Sequence, residues 1–350
     1  MKFGINHLFS GRRDTDARRI YGEVLDQIVL AEDLGFSSVW MAEHHFSDYG
    51  LLPHLGTFAA AVAARTSTIK LGTAVLVLPF GHPIRMAEEM AMVDVLSNGR
   101  LELGVGRGYQ PQEFEALGVD QEHSQAIFDE YLEVMRLAWS SERFSFDGEH
   151  FSVADVEVLP KPVQPGGPPV RIAAISRSTY ERLGARGELL MLSPNFTPVP
   201  TIQANLASYR DAAAAAGHDP AAMVTPPMIQ QVYIDESDEV AKADPEPYAM
   251  WFFGKFSEIL PGRDGADVAQ QYEDYKKIRS SVDAVSYDRI VRDGAAFGDY
   301  KAIIDRFRML EEQLGVEEIA CWFSFGDLPH ERVVQNMKMF ADKVMPELAT

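Results

Sequence analysis

The stretch IKLGTAVLVLPFGHPIRMAEEMAMVDVLSNGRLELGV, residues 69–105, decides the fold. It begins with a predicted strand, Ile69–Leu78, and continues into a helix that begins at Pro83. The helix carries methionines at helical spacing and ends at Asn98–Gly99, after which Leu101–Val105 predicts a second strand. Since parallel strands need such a crossover, the stretch predicts one strand–helix–strand unit of a parallel sheet.

The same alternation extends to both sides of this stretch. A helix opens at the polar cluster Asp14–Asp16 and stops at Gly35, and further helices are predicted at Thr179–Arg186, Ile202–Ala216 and Ala302–Leu314. The eight predicted strands are Phe3–Phe9, Ser38–Ala42, Ile69–Leu78, Leu101–Val105, Val170–Ile175, Leu189–Leu192, Met228–Ile234 and Ile319–Phe325. Eight strands with helices between them favour an α/β fold of the (β/α)8 TIM barrel type, one domain over residues 1–350. An open doubly wound sheet is the alternative.

Two segments interrupt the alternation, and we expect them as insertions after strands 4 and 7. In the first, residues 144–169, Phe144–Val158 predicts a hairpin around Asp147–Gly148, and a proline-rich stretch follows. The second, residues 235–298, mixes acids, aromatics, prolines and glycines without a clear period. Because insertions at the C-terminal face of a barrel often close over the active site, the second is predicted to be a mobile lid.

Composition narrows the classes of function. The chain has 350 residues, 46% of them hydrophobic, and a formal net charge of −20. An acidic surface repels nucleic acid and anionic lipid, so we expect neither as a partner. The only cysteine, Cys321, excludes an internal disulfide and a cysteine-based metal site. The N-terminus lacks the order of a signal peptide and no stretch is long enough to span a bilayer, so we expect a cytoplasmic protein.

The first candidate for chemistry is Glu43–His44–His45, directly after the second strand. Active sites of barrels lie at the C-terminal ends of their strands. Adjacent side chains on an extended segment point in opposite directions, so we expect His44 to face the barrel mouth and His45 to pack sideways. A zinc site is disfavoured, because no third ligand has suitable spacing.

Two further strand ends are suited to an anion. After the fourth strand, Gly104–Tyr109 lacks the third glycine of a dinucleotide fingerprint, but Arg107 offers a forked cation for a phosphate or a carboxylate. After the fifth strand, Ser176–Thr179 opens a helix whose hydroxyls and N–H groups can bind an anion. A solvated arginine and a purely structural helix cap are the alternatives. Because the two ends belong to adjacent strands, one phosphate site explains both.

The aromatic residues of the eighth strand indicate an apolar pocket. They are Trp322, Phe323 and Phe325. Packing inside the barrel is the alternative explanation for all three.

In these residues the chain resembles the bacterial luciferase-like flavin-dependent monooxygenases. Glu43–His44–His45–Phe46 followed by Gly50–Leu51–Leu52 is similar to the family's second-strand signature. The resemblance continues at Gly72–Thr73–Ala74, Leu78–Pro79, His82–Pro83, Arg85, Ala87–Glu88, Gly99–Arg100, Arg107–Gly108, Gly166–Gly167, Pro169–Val170 and Val344–Met345–Pro346. It covers essentially the whole chain and is dense up to about residue 195.

The resemblance implies a two-component monooxygenase. Such an enzyme takes reduced FMN from a separate flavin reductase, forms a peroxyflavin with dioxygen and oxygenates a small organic substrate, here an apolar aldehyde or ketone. Members usually form homodimers through the second and third barrel helices, which match Pro53–Arg65 and Ile84–Leu96.

The resemblance also implies site residues. His44 matches the catalytic histidine, and Arg107, Ser176 and Thr179 match the residues that hold the flavin phosphate. The flavin ring system would lie near Ala74–Val75, where the family often has a cis peptide bond that does not precede proline.

The chain departs from the light-emitting members at two positions of this predicted flavin site. Gly106 replaces a reactive cysteine, which would leave more room beside the flavin. Ile175 replaces an acidic residue but keeps a backbone N–H for phosphate. Light emission is therefore not expected. Two other functions on the same barrel stay open: a deazaflavin-dependent dehydrogenase and a non-catalytic flavin-binding protein.

Overall fold

The structure is a computed structural model that describes residues 1–12, 14–192, 197–220, 223, 227–262 and 272–348. These residues contain twelve β-strands. They are β1 Lys2–His7, β2 Ser38–Met41, β3 Lys70–Thr73, β4 Leu76–Val77, β5 Leu101–Gly106, β6 Phe144–Asp147, β7 Ser152–Val156, β8 Val170–Ala173, β9 Leu189–Met191, β10 Met228–Ile234, β11 Ala296–Gly298 and β12 Glu318–Trp322. Ten of them form one sheet, and β6 and β7 form a separate pair. Each of the eight predicted strands overlaps an observed one.

The large sheet is parallel and curled. Its strands follow the order β11-β10-β12-β1-β2-β3-β5-β8-β9, and β4 pairs with β5. Pairing of β12 with β1 joins the last strand of the chain to the first. At the other side a parallel bridge between Leu192 and Met228 brings the end of β9 to the start of β10. Apart from β11, which pairs only with β10, neighbouring strands therefore follow chain order around the sheet, as in a TIM barrel and unlike a doubly wound sheet.

Fourteen helices lie in the described part of the chain, and most of them cover the outside of the curled sheet. They are α1 Ala17–Asp33, α2 Leu55–Arg65, α3 Pro83–Leu96, α4 Pro111–Leu117, α5 Ser124–Ser140, α6 Arg177–Ala185, α7 Val199–Ala215, α8 Asp238–Ala243, α9 Glu246–Ile259, α10 Glu273–Asp283, α11 Tyr287–Arg289, α12 Tyr300–Leu314, α13 His330–Lys343 and α14 Met345–Leu348. Helices α9 and α10 lie instead over the C-terminal ends of the strands. Every residue of β5 and β10 is buried, because helices cover one face of the sheet and the barrel interior covers the other. Within the described ranges, no helix combines the length and the apolar character needed to cross a membrane.

The first helix shows how local sequence sets these elements. Asp16 caps α1 by accepting a hydrogen bond from the Arg18 backbone N–H at 2.9 Å. Ile20, Val24 and Ile28 are buried on one face of the helix, as their spacing predicts.

A carboxylate near the end of α1 fixes the start of β3. Glu32 accepts hydrogen bonds from the backbone N–H groups of Ser67, Thr68 and Ile69 at 2.9, 2.5 and 2.9 Å. Burial raises the pKa of Glu32, but these hydrogen bonds to its ionised form outweigh burial and lower the pKa to about 2. The turn that leads into β3 is therefore held by a charged group.

The first interrupting segment contains the predicted hairpin. Phe144 pairs with Val156, and Asp147 pairs with Ser152, in antiparallel β6 and β7. A proline-rich stretch that includes the cis peptide bond Leu159–Pro160 leads from the hairpin to β8.

The second interrupting segment is not irregular in its described part. Residues 235–298 form α8, α9, α10, α11, a π-helix at Ile290–Gly294 and the short β11; residues 263–271 lie outside the described part of the chain. Helix α9 buries Ala249, Phe252, Phe253 and Phe256 on one side. This segment shows no clear period in the sequence, because the apolar spacing of α9 is obscured by prolines and acids at its start. Its mobility stays a prediction.

Candidate active site

A cavity lies at the C-terminal ends of the barrel strands. Its wall is built from the residues that follow β2, β3, β5 and β8, and its upper part from α9 and α10. The cavity brings together all eight residues that the sequence marked, namely His44, Ala74, Val75, Gly106, Arg107, Ile175, Ser176 and Thr179. Four strand ends that are distant in sequence thus meet in one place.

His44 lines the cavity and is held from one side. Its side chain is 11% exposed, and its Nδ1 atom lies 2.7 Å from Nε2 of Gln110 and 3.4 Å from Oε1 of Glu113. Gln110 and Glu113 are both 2% exposed. Because an amide nitrogen only donates, Nδ1 of His44 accepts this hydrogen bond, and the neutral ring carries its proton on Nε2.

His45 does not line the cavity, as the alternation along the segment predicts. Its Nε2 atom lies 3.0 Å from Oε1 of Glu43, and Oε2 of Glu43 accepts a hydrogen bond from the Val77 backbone N–H at 3.0 Å. Burial lowers the pKa of His45, but the bond and the charge of Glu43 outweigh it, so the pKa is raised. Glu43 therefore connects the β2 end to β4, and His45 holds the Glu43 carboxylate in place.

The peptide bond between Ala74 and Val75 is cis, as the resemblance implied. Gly106 lies beside it, on β5. A Cβ atom built on Gly106 would stand 2.6 Å from Cγ2 of Val75. The side chain of Val75 therefore occupies the space that a side chain at position 106 would take, and the expected room beside the flavin stays a prediction.

The anion-suited residues lie together at one end of the cavity. Ser176 caps α6: its Oγ atom accepts a hydrogen bond from the Thr179 backbone N–H at 3.3 Å and lies 2.9 Å from Thr179 Oγ1. Ile175 precedes this cap. The Arg107 guanidinium lies 4.3 Å from the centre of the Tyr272 ring. Ser176 therefore both caps α6 and lines the cavity.

Arg182 and Gln125, which the sequence analysis missed, belong to the same end. Arg182 Nη2 donates to Gln125 Oε1 at 3.2 Å, and Arg182 Nη1 lies 3.3 Å from Asp129 Oδ1. Gln125 Nε2 is buried and has no hydrogen-bond partner among the described residues. The three-residue spacing of Ser176, Thr179 and Arg182 on one helix face was a usable signal for Arg182. Nothing in the sequence pointed to Gln125.

Aromatic side chains line another part of the cavity wall. They are Tyr49, Tyr109, Phe252, Phe256, Tyr275 and Trp322. Of the three aromatics predicted on the last strand, only Trp322 lies in the wall. Phe323 and Phe325 lie outside the cavity. Phe323 packs against Phe36 and Phe340, and Phe325 stacks on Phe297.

Metal binding finds no support in the described parts of the chain. There, no three histidine, cysteine, aspartate or glutamate side chains are placed to hold one metal ion.

The sequence of this chain is similar to those of known monooxygenases. The family model described as luciferase-like monooxygenase matches residues 1–318. Protein y4vJ of Sinorhizobium fredii is 31% identical over 324 residues, which are 92% of this chain and 90% of that protein. The alkanal monooxygenase alpha chain of Photorhabdus luminescens is 27% identical over 91% of this chain and 89% of its own length.

Solved structures show the same fold. Monooxygenase RslO1 from Streptomyces bottropensis superposes with a TM-score of 0.85 at 29% identity, over 100% of both chains. The oxygenating constituent of 3,6-diketocamphane monooxygenase from Pseudomonas putida, in complex with FMN, gives 0.82 at 19% identity over 99% and 98%. An F420-dependent secondary alcohol dehydrogenase gives 0.78 at 20% identity over 100% and 99%. The last two likenesses concern the fold alone.

Proposed function

This chain belongs to the luciferase-like monooxygenase family, and from that premise we propose that it is the oxygenase component of a two-component flavin-dependent monooxygenase. It would take reduced FMN from a separate flavin reductase and use dioxygen to oxygenate a small, apolar aldehyde or ketone. One observation carries the proposal: a single cavity joins anion-suited residues, a half-buried histidine and an aromatic wall.

The residues at the anion-suited end fit a flavin phosphate. Arg107 and Arg182 supply two cations, and Ser176 and Thr179 supply hydroxyl groups. Gln125 adds a buried N–H donor that the described residues leave without an acceptor. A phosphate monoester is a doubly charged acceptor, and charge-assisted hydrogen bonds of this type are strong. Ala74, Val75 and Gly106 would lie along the ring system of the same cofactor.

Bound reduced FMN supplies two electrons and, with dioxygen, one oxygen atom for the substrate, while the second oxygen atom leaves as water. An aldehyde would give an acid, and a ketone would give an ester.

The residues of the chain supply proton transfer and protection from water. His44 lines the cavity while Gln110 holds its Nδ1 atom, which leaves Nε2 as the ring atom that can donate or accept a proton. Phe252 and Phe256 of α9 cover the cavity and are 1% and 4% exposed. Such a cover keeps water from the reacting groups.

The proposed partners are a flavin reductase and a second copy of this chain. Naming of a structural relative as the oxygenating constituent of a monooxygenase supports the reductase. Exposed apolar side chains on α3, namely Met92, Val95 and Leu96 at 53%, 44% and 57%, support a homodimer through α2 and α3.

The deciding experiment supplies the cofactor under anaerobic conditions and then adds dioxygen. We expect tighter binding of reduced than of oxidised FMN, and, with a carbonyl substrate and ¹⁸O2, one labelled oxygen atom in the product. Reduced F420 in place of FMNH2 should give no oxygenated product. Hydride transfer from F420 without oxygen incorporation would establish a dehydrogenase instead. Tight NADPH binding with direct flavin reduction would contradict the two-component scheme.

A further inference from the structure

We propose that the substrate is a planar aromatic ketone or aldehyde, bound in the six-ring end of the cavity, and not a linear alkyl compound. We call this end the aromatic box: Tyr49, Tyr109, Phe252, Phe256, Tyr275 and Trp322. The inference rests on the proposed function, since it names the class of molecule that the same cavity would oxygenate.

The first wall of the aromatic box consists of nearly parallel rings. The Tyr49 and Phe252 ring centres lie 5.5 Å apart with an angle of 24° between the planes, and Phe252 and Phe256 lie 6.2 Å apart at 15°. Trp322 closes this wall from below, perpendicular to Phe252 at 4.6 Å. These side chains are 4% exposed or less, so their ring planes are fixed by packing.

The second wall is turned against the first. Tyr109 and Tyr275 stack at 5.4 Å with an angle of 13°, and Tyr109 meets Phe256 at 63°. Because Tyr109 contacts Phe256, the two walls meet at a corner of the cavity, and a flat molecule in this corner can stack on one wall and present its edge to the other. Both arrangements are the favourable ones for aromatic pairs.

The aromatic box adjoins the candidate catalytic histidine. The His44 ring lies 4.8 Å from Tyr49 and 6.3 Å from Tyr109, nearly perpendicular to both. Burial raises the pKa of the Tyr49 and Tyr109 hydroxyl groups, so both stay neutral at physiological pH. The two hydroxyls form a hydrogen bond with each other, which leaves one of their two protons to donate to a carbonyl oxygen and so to orient the bound molecule.

Burial of apolar surface alone does not select aromatic molecules. A saturated compound with the same carbon skeleton is more hydrophobic and would bind more tightly in a pocket without ring preference. Each aromatic pair adds about 2- to 12-fold in affinity beyond area. The sign of the preference between matched ligands therefore tests the aromatic box.

The test compares three ketones of equal carbon number by isothermal titration calorimetry, with the protein alone and with saturating oxidised FMN. The ligands are 2-acetylnaphthalene, its fully hydrogenated analogue 2-acetyldecalin, and 2-dodecanone. We expect 2-acetylnaphthalene to bind roughly 5-fold or more tightly than either saturated ketone. Tyr109→Leu and Tyr275→Leu should each reduce this preference, whereas Tyr131→Leu, a half-buried tyrosine outside the cavity, should keep it.

The outcomes separate this inference from the proposed function. Equal or tighter binding of the saturated ketones, or a preference that survives both box substitutions, overturns the aromatic box. If FMNH2-dependent oxygenation then occurs with the saturated ketones, the proposed function stands without it. If the protein prefers the aromatic ketone but oxygenates none of the three ketones, the aromatic box is supported and the proposed monooxygenase function is refuted.

Discussion

The Cγ2 atom of Val75 lies 2.6 Å from the point where a Cβ atom on Gly106 would stand. These two residues belong to different strand ends, and each restricts the other. Gly106→Ala should therefore destabilise the protein by about 1–3 kcal/mol, the usual cost of overpacking. Adding Val75→Ala should recover part of that loss, with a coupling of about 1 kcal/mol between the two sites in denaturant unfolding.

Gly22 provides the matched control for this pair. It lies in α1, and an added Cβ atom meets nothing within 4 Å. Gly22→Ala should be neutral or stabilising by up to about 1 kcal/mol. Additive effects of Gly106→Ala and Val75→Ala would show that the two positions do not share their space.

His44→Asn tests the role of the cavity histidine. Asparagine can keep a hydrogen bond to Gln110 but cannot take up or release a proton. We expect near-normal folding and FMNH2 binding, with product formation reduced by roughly 10²–10⁴-fold. His45→Asn is the comparison variant, and it should lower the unfolding midpoint because the bond to Glu43 is lost. Turnover that survives His44→Asn and disappears in His45→Asn would reverse the assignment.

Gln110→Leu tests what holds the His44 ring. Loss of the amide donor leaves Glu113 as the polar neighbour of Nδ1, and a carboxylate prefers a protonated nitrogen there. In ¹⁵N NMR of histidine-labelled protein, we expect the His44 signal to change from the Nε2–H form toward a ring protonated on Nδ1. Product formation should fall by about 10-fold or more. Gln112→Leu, exposed on the same helix, should leave the spectrum unchanged; an unchanged spectrum in both variants rejects the idea.

Arg107→Ala and Arg182→Ala test the phosphate end. Each should weaken FMN binding by about 1.5–3 kcal/mol, the range for a hydrogen bond to a charged group. Riboflavin, which has no phosphate, should bind with nearly unchanged affinity in both variants. Arg177→Ala is the matched control on α6, because its side chain is 70% exposed and paired with Glu181. Fluorescence titration measures all four proteins, and equal losses for FMN and riboflavin would indicate a different role.

Glu32→Gln should make stability less dependent on pH. The pKa of this carboxyl is about 2 in the folded protein and ordinarily near 4.5, so its stabilising effect is complete above about pH 5 and disappears as the pH falls toward 2. After allowance for solvent screening, we expect a loss of about 1 kcal/mol at pH 7. Urea unfolding from pH 7 to pH 3 should show the difference from wild type shrinking. Glu133→Gln, exposed on α5, should show no such trend.

The eight barrel strands could be predicted because each is short, apolar and bounded by residues that break regular structure. Strand β5 is one example, since all of its residues are buried and Gly99 precedes it. The helices of residues 235–298 were missed because Pro245 and Pro247 flank the start of α9, while its periodicity appears only from Ala249 onward. Local sequence thus predicted the barrel strands better than the helices of residues 235–298.

The site was predictable where a strand end supplies the residue, as for His44 and Arg107. Gln110 and Glu113 reach His44 from 66 and 69 positions away, and no local pattern links such distant residues. The stacking of Tyr109 on Tyr275 depends on how α10 packs over the barrel. Tertiary packing, which a single sequence does not display, decides these contacts.

In the described part of the barrel, β9 and β10 are joined only by the single bridge between Leu192 and Met228. Between β1 and β2, by contrast, four residue pairs form a continuous ladder. A sheet opens locally most easily where few hydrogen bonds join its strands, which here is the joint between β9 and β10. Met191 and Ile229 flank the joint and line the cavity, so the part of the wall with the fewest sheet hydrogen bonds faces the ligand directly. We therefore expect the cavity wall to open locally at this joint more readily than between β1 and β2.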